Sequence, residues 1–282
     1  MIEGRASRTA MRVALRRAAH QVFDAPLVLD DPIALRIVGD ERAAELRADA
    51  QGNERRSFER GMRAFMAVRS RFAEDALAEA VATGTRQYVL LGAGLDTFAY
   101  RNPYNDVRVF EVDHPDTQQW KRGRLGEGHV PAPSSLTFAP VNFETQTLAD
   151  GLANAGFDRS APAMFAMLGV VPYLTPEALS ATWGFVGSGA KGSGIVFDYS
   201  IPPSAMSVVQ RVVFEVMAAR VAAAGEPWKM FFEPAHLANI LKEHGFTRLE
   251  DLSGAAINAR YFADREDKLQ VRGVGRLMKA IT

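Results

Sequence analysis

The chain has 282 residues, of which 48% are apolar and 23% charged, and its 33 basic side chains balance 33 acidic ones. One large α/β domain can bury an ample core at this length. Balanced charge argues against a nucleic-acid binder that works by neutralising phosphates, and zero cysteines exclude disulfides, zinc–thiolate sites and cysteine nucleophiles. No apolar run reaches membrane-spanning length, so we expect a cytoplasmic enzyme without membrane or nucleic-acid partners.

Helical periodicity dominates the first part of the chain. Residues 9–23 place apolar side chains on one stripe, and the Asp-Pro pair at 31–32 is expected to open a second helix. A charged stretch over 40–60 leads into a third helix at 62–82. An acidic partner could bind the arginines near the start, but a solvated face of a lid helix is the preferred interpretation. These arginines are Arg5, Arg8, Arg12, Arg16 and Arg17.

After Gly84 the sequence alternates between short apolar strands and helices, which predicts a mostly parallel sheet covered on both faces. We therefore expect one domain. Its predicted parts are a helical cover at 1–84 and an α/β core at 85–282 with a lid insertion near 200–235. The predicted strands are 88–91, 108–112, 136–140, 164–168, 195–199, 247–252 and 276–281.

The first two strands enclose a glycine turn. Residues 88–91 run into Gly92-Ala93-Gly94, and the next strand closes on Asp113. Glycine lets the backbone pass close to a ligand where any Cβ would collide, and the acid can accept hydrogen bonds from ribose hydroxyls. This arrangement indicates a nucleoside-binding crevice.

Two residues beside the turn discriminate between nucleosides. Thr97 occupies the position of the third glycine of a dinucleotide fingerprint, and no phosphate-gripping Gly-Lys-Ser or Gly-Lys-Thr is present. Asp96 would repel a pyrophosphate but attract an amino group or a sulfonium. The pattern favours a cationic, phosphate-free cofactor, S-adenosylmethionine. A nicotinamide-dependent oxidoreductase and a cofactor-binding protein without turnover are the alternatives.

The helix before the first strand carries a charge on its apolar stripe. Arg69 falls at helical spacing between Phe65 and Phe72, and a guanidinium placed there needs an anion. That anion is either the carboxylate of the cofactor's amino-acid tail, which suits a planar fork, or an acidic side chain in a structural ion pair. A third reading has the guanidinium reaching water along its aliphatic stem.

The motifs together, in this order and spacing, resemble the leucine carboxyl methyltransferase family, and more narrowly its bacterial branch of S-adenosylmethionine-dependent O-methyltransferases. The resemblance extends to residues 7–10 (SRTA), 31–32 (DP) and 225–228 (GEPW), so it covers nearly the whole chain. Its main motifs are 69–72 (RSRF), 89–97 (VLLGAGLDT), 110–115 (FEVDHP), 141–144 (VNFE) and 168–174 (LGVVPYL).

The resemblance implies the Rossmann-like, doubly wound sheet of class I methyltransferases, with seven strands of which one is antiparallel, beneath N-terminal helices. It assigns Arg69 to the methionine carboxylate, Asp113 to the ribose, and Asn142 with Phe143 to the adenine. The chain departs from related patterns at Leu90 and Asp96, and at Asn142, where the family commonly has Asp. The full predicted cofactor set is Arg69, Gly92, Ala93, Gly94, Asp96, Asp113, His114, Asn142, Phe143, Leu168 and Gly169.

Structural interpretations of the same residues stay open. Asp113 could be a helix N-cap ahead of Pro115, and Glu111, on the same side of its strand, is a reserve candidate for the ribose. Asn142 could be an ordinary turn residue.

The methyl acceptor, expected to be a small molecule, should bind beyond strands four and five. Tyr173 and Tyr199 could orient an acceptor oxygen, and Asp198 could act as a base, although such residues more often pack or cap. An aromatic cluster at Trp228, Phe231 and Phe232 either lines the acceptor pocket or seals a core edge. A carboxylate acceptor needs no base, and the scattered histidines predict no metal site.

Overall fold

The computed structural model describes residues 8–49, 57–142, 145–223 and 228–282. Within these ranges the chain forms seven strands and ten α-helices. The strands are β1 (Gln87–Leu91), β2 (Arg108–Asp113), β3 (Leu136–Pro140), β4 (Ala163–Met167), β5 (Gly194–Ser200), β6 (Arg248–Leu252) and β7 (Gly275–Ile281). The helices are α1 (Arg8–Phe23), α2 (Ala34–Val38), α3 (Asp40–Asp49), α4 (Ser57–Ala82), α5 (Pro115–Glu127), α6 (Leu148–Asn154), α7 (Pro176–Gly187), α8 (Val208–Ala223), α9 (Pro234–Glu243) and α10 (Gly254–Tyr261).

All seven strands join one sheet in the order β3-β2-β1-β4-β5-β7-β6. β1 pairs parallel with β2 and β4, and β7 runs antiparallel between β5 and β6. The central strands β1 and β4 are buried along their whole length, as expected of parallel strands covered on both faces. The chain therefore has the class I methyltransferase fold, and the predicted single antiparallel strand is confirmed.

The two faces of the sheet carry separate cores. One core packs α4 and α10 against β1, with Phe72, Leu77 and Tyr88 at its centre. The other packs α6, α7 and α9 against the opposite face. A third, smaller cluster joins α1 and α2 to Leu95 beside the glycine turn. The N-terminal helices therefore reach the carboxyl edge of the sheet, where β1 and β2 end.

The helical part differs from the sequence prediction in three places. The charged stretch after residue 39 contains α3, whose polar composition hides any apolar stripe. The long helix α4 begins at Ser57, five residues earlier than predicted. Helix α2 begins at Ala34 rather than at the Asp-Pro pair, because the buried Asp31 side chain instead accepts a hydrogen bond from Thr97 (2.6 Å) and faces Arg17 and Arg101.

Among the described helices, none combines the length and the hydropathy that a membrane crossing requires.

Candidate cofactor and acceptor site

The turn after β1 depends on two glycines with positive φ. Gly92 has φ of 65° and Gly94 has φ of 48°, a region that residues with a Cβ adopt at a cost. A Cβ added at Gly92 would lie 2.5 Å from Cγ2 of Val170, and one at Gly94 would lie 3.3 Å from Cβ of Ala10 in α1. The turn is therefore tightly enclosed by α1 and by the segment after β4.

Asp113, the last residue of β2, reaches across to this turn. Its Oδ2 accepts a hydrogen bond from the Gly94 N–H (2.6 Å), and its Oδ1 accepts one from the His114 N–H (2.7 Å). The helix-cap interpretation is wrong, because His114 is the N-cap of α5 and its Nδ1 accepts from the Asp116 N–H (3.2 Å). Burial raises the pKa of Asp113, although the two N–H groups and the Lys121 ammonium oppose that rise.

Glu111 does not reach the cavity, so its reserve role at the ribose is wrong. The side chain is fully buried beneath the turn, where its Oε2 lies 2.7 Å from Nζ of Lys121 in α5. Burial raises the pKa of Glu111 to about 7, even though Lys121 acts in the opposite direction. The sequence analysis did not identify Lys121, because nothing in the polar sequence of α5 indicates that its one lysine faces inward.

Asp96 is held by a cation from the N-terminal cover. Nη1 of Arg17 lies 3.3 Å from Oδ2 of Asp96, Nη2 of Arg17 donates to the Leu95 carbonyl, and the Phe98 N–H donates to Oδ1 of Asp96 (2.8 Å). Burial alone would raise the pKa of Asp96, but the Arg17 guanidinium and the other nearby charges lower it below its usual range. Arg17 is only 3% exposed, so the solvated-face prediction is wrong for this arginine.

Arg69 is buried on α4 and meets Asp198 of β5. Its Nη1 donates to Oδ2 of Asp198 (3.1 Å), and Oδ1 of the same carboxylate accepts from the Gly169 N–H. The Nε of Arg69 is buried without a hydrogen-bond partner among the described residues. The predicted structural ion pair is therefore present, and Arg69 also lines the cavity above it.

The loop after β4 contacts the segment that precedes α9. Nε1 of Trp228 donates to the Tyr173 hydroxyl (3.2 Å), and the Lys229 N–H donates to the Pro172 carbonyl (2.7 Å). The predicted aromatic cluster divides in two. Trp228 and Phe231 pack around Phe214 of α8, whereas Phe232 packs against Trp183 in the core.

Two acceptor-side candidates, Tyr199 and Asp198, do not line the cavity. Tyr199 is 2% exposed, and its hydroxyl donates to Oδ2 of Asp251 (2.8 Å), at the β6 side of the sheet. Burial, with the Asp251 carboxylate, raises the pKa of Tyr199 above its ordinary value. Asp198 already serves Arg69 and Gly169, and neither Asp198 nor Tyr199 is among the residues that line the cavity.

One cavity of about 1340 Å³ runs along the carboxyl edge of the sheet. It brings together the predicted cofactor residues that the structure describes, Asn142 included. The acceptor-side candidate Tyr173 also lines it. Phe143 lies outside the described residues. The acidic side chains of the cavity, Asp96, Asp113 and Asp116, all come from the β1 and β2 ends. The predicted residues that line it are Arg69, Gly92, Ala93, Gly94, Asp96, Asp113, His114, Asn142, Leu168, Gly169 and Tyr173.

The sequence pattern of the leucine carboxyl methyltransferase family matches residues 10–187, more than half of the chain. Over 293 aligned positions the chain is 32% identical to YktD of Bacillus subtilis (strain 168), provisionally named an S-adenosyl-L-methionine-dependent methyltransferase, with 95% of each protein covered. The chain belongs to the leucine carboxyl methyltransferase family. A Mycobacterium marinum protein with the same provisional name is 31% identical over 84% of this chain and 81% of its own length.

Solved structures with a related fold are more distant. An O-methyltransferase family protein from Burkholderia thailandensis is 12% identical, with a TM-score of 0.48 over 87% of this chain and 61% of its own. The apo structure of the methyltransferase SibL is 13% identical, with a TM-score of 0.49 over 78% of this chain and 57% of its own.

This family member is an S-adenosylmethionine-dependent methyltransferase. The geometry fits that cofactor. The glycine turn lines the cavity, Asp113 keeps acceptor capacity beyond its two backbone bonds, and the Arg69 guanidinium has donors left beyond Asp198. The volume of the cavity exceeds the usual range for a single small-molecule site, which leaves space for a second reactant.

Proposed function

We propose that the protein transfers the methyl group to an oxygen of a small molecule, and that this oxygen belongs to a carboxylate. The observation that carries the proposal is the distribution of charge along the cavity. Its acidic side chains are confined to the β1–β2 end, where Arg17 pairs with Asp96, whereas the β4 side contributes Lys229 as well as Arg69, which we assign to the cofactor. A wall with cations and without acids favours an anionic acceptor.

The cofactor would lie across the ends of β1 and β2. We assign the ribose hydroxyls to Asp113, the methionine carboxylate to Arg69, and the adenine to Asn142 together with Phe143. Gly92, Ala93 and Gly94 form the floor, and Leu168 with Gly169 borders it from β4. The geometry supports this assignment, because the turn and Asp113 line the same cavity and the Asp113 carboxylate accepts a hydrogen bond from the Gly94 N–H. Asp96 and His114 complete the set at the mouth of the turn.

The chemistry asks the protein for position rather than for proton transfer. S-adenosylmethionine supplies an activated methyl group on a sulfonium, whose positive charge disappears when the methyl is transferred. The protein's part is to hold the two reactants at attack distance and to exclude water. A carboxylate is already deprotonated at neutral pH, so it needs no general base, and the candidate base Asp198 is already bound to Arg69 and Gly169.

We assign the segment between β5 and α9, described at 201–223 and 228–233, as a lid over the acceptor. It leaves β5, forms α8, and returns so that Trp228 and Lys229 contact the loop after β4. Lys229 then lies beside Tyr173, where an ammonium can pair with an acceptor carboxylate and a phenol can donate a hydrogen bond to it. Neither Lys229 nor Tyr173 needs to change its protonation state in this role.

The type of bond formed tests the proposal. The protein is incubated with S-adenosylmethionine labelled in the methyl group and a panel of matched small acceptors that differ only in bearing a carboxylate, a phenol or an amine. We expect label to enter the carboxylates and to be released as volatile methanol on mild alkaline treatment, because esters hydrolyse and ethers and amines do not. Label that survives alkali in a phenol would keep O-methylation and overturn the carboxylate assignment. Transfer to amines alone would overturn both.

A further inference from the structure

A buried ion pair lies beneath the turn and the carboxylate assigned to the cofactor. Glu111 is 0% exposed and Lys121 is 1% exposed, with Nζ and Oε2 separated by 2.7 Å. Removing two such charges from water costs several kcal/mol for each ion, and apolar residues of similar volume commonly hold a strand and a helix together equally well. Packing of α5 against β2 therefore does not by itself account for this pair.

The Lys121 ammonium is surrounded by carboxylates that face the turn. Glu111 and Asp113 lie on the same side of β2, and Asp96 approaches from the turn after β1. The ammonium lowers the pKa of all three carboxyl groups. It also lies 5.4 Å from the ring centre of Tyr100, and Arg17 from α1 contacts Asp96 on the far side. Thr117 and the His114 and Gly94 N–H groups also face the cluster at Asp113, and Arg101 and the Phe98 N–H face it at Asp96.

Within this cluster Glu111 and Asp113 differ in their ionisation and in the role assigned to them. The pKa of Glu111 is about 7, so near neutral pH part of its negative charge is absent and the ammonium acts more strongly on its other neighbours. Asp113 must accept hydrogen bonds from a ligand while burial already favours its protonated form. The Gly94 and His114 N–H groups favour the ionised form of Asp113, and the Lys121 ammonium adds to their effect.

We propose that Lys121 is a positioning residue for cofactor binding, whose ammonium keeps Asp113 ionised so that this carboxylate can bind the ribose hydroxyls at neutral pH. The proposal rests on the assignment of Asp113 to the ribose under the proposed function. Lys121 itself does not line the cavity, so it acts through Asp113.

The consequence is a shift in the pH dependence of binding. Without the ammonium, the pKa of Asp113 rises above its already raised value, so the carboxyl group takes up a proton at a higher pH. A protonated carboxyl group has lost part of its acceptor capacity and must place a hydrogen of its own. Affinity should therefore be lost at the acidic side first and be preserved at pH 8.

Calorimetric titration with S-adenosylhomocysteine at pH 6 and pH 8 measures this directly. We expect Lys121→Met to bind more weakly than the wild type at pH 6 and to recover most of that loss at pH 8, because a higher pKa of Asp113 matters only where the carboxyl group takes up a proton. Glu111→Gln is the matched variant, because it breaks the same ion pair but keeps the ammonium. Since Glu111 is largely protonated at pH 6, this amide should bind there within about threefold of the wild type.

The double variant Glu111→Gln/Lys121→Met separates electrostatics from folding. It contains no unpaired buried charge, so it should fold even where Lys121→Met does not, and it should show the same loss at pH 6. A wild-type pH dependence in the double variant would mean that the pair is merely structural, which overturns the proposal.

Asp113→Asn distinguishes failure of this proposal from failure of the assignment beneath it. If Asp113→Asn binds S-adenosylhomocysteine as the wild type does at both pH values, the ribose assignment is wrong and the role of Lys121 falls with it. If Asp113→Asn binds weakly while both variants without Lys121 keep the wild-type ratio between pH 6 and pH 8, only the role of Lys121 is overturned.

Discussion

The ends of β2 and β5 use the same device for different purposes. At each, a carboxylate reaches across to the N–H of a glycine in the neighbouring turn, Asp113 to Gly94 and Asp198 to Gly169. At β5 the Arg69 guanidinium also contacts the carboxylate, whereas among the described residues no cation contacts Asp113 directly. Asp198 is therefore engaged within the protein, whereas Asp113 has acceptor capacity left, which we assign to the ribose hydroxyls.

The comparison extends to acidic groups on the two sides of the sheet. Burial raises the pKa values of Asp113 and Glu111 near β2. Beyond β5, on β6, Glu250 has a lowered pKa, because Lys279 and Arg260 together outweigh the opposing effect of burial. Shifted pKa values commonly cluster at functional sites, so the raised values of Asp113 and Glu111 are consistent with a site at the end of β2. The difference is open to experiment from either end.

The largest expected effect comes from breaking the buried pair at β5. Asp198→Asn should lower the free energy of unfolding by about 3 kcal/mol, because it leaves the Arg69 guanidinium buried without a counter-charge. Urea unfolding measures the loss. The matched variant Asp251→Asn breaks the more exposed pair with Arg276 and should cost about 1 kcal/mol. Equal losses of unfolding free energy in the two variants would mean that the buried pair at β5 stabilises the fold no more than the exposed pair with Arg276 does.

The second prediction concerns Glu111 in β2, because burial raises the pKa of this carboxyl group. The folded-state pKa of Glu111, about 7, lies above its unfolded value, so its contribution to stability is present at low pH and is lost as pH rises. Glu111→Gln removes that dependence. Its stability relative to the wild type, in the absence of cofactor, should therefore increase by roughly 2 kcal/mol between pH 5 and pH 8.

Glu250→Gln is the control for this pH dependence. The lowered pKa of Glu250 means that its contribution to stability is lost only as pH falls below the range of the experiment. The difference between Glu250→Gln and the wild type should stay constant from pH 5 to pH 8. A constant difference for Glu111→Gln as well would show that Glu111 does not titrate near neutrality.

The sequence was sufficient to predict all seven strands to within one or two residues. Most of them are short apolar runs bounded by turn residues, and that pattern depends only on neighbours along the chain. The same holds for the glycine turn, Asp113 and the misplaced charge at Arg69. The partners of the charged residues were not predictable, because Asp198 lies 129 positions from Arg69, and Asp96 lies 79 positions from Arg17. Helix α3 escaped prediction because its polar composition gives no periodic signal.

The smallest expected effect tests whether the segment around Trp228 serves the acceptor or the cofactor. Trp228→Phe keeps an aromatic ring beside Phe214 but removes the hydrogen bond to the Tyr173 hydroxyl. If the segment around Trp228 orders the acceptor side alone, the KM for the best carboxylate acceptor should rise about threefold, which matches the net free energy of one hydrogen bond. The affinity for S-adenosylhomocysteine should not change.

Phe231→Leu, which disturbs the same aromatic packing but keeps the Trp228–Tyr173 hydrogen bond, should leave that KM unchanged. The reverse pattern, with weakened cofactor binding and an unchanged KM in Trp228→Phe, would move the segment at 201–233 from the acceptor to the cofactor.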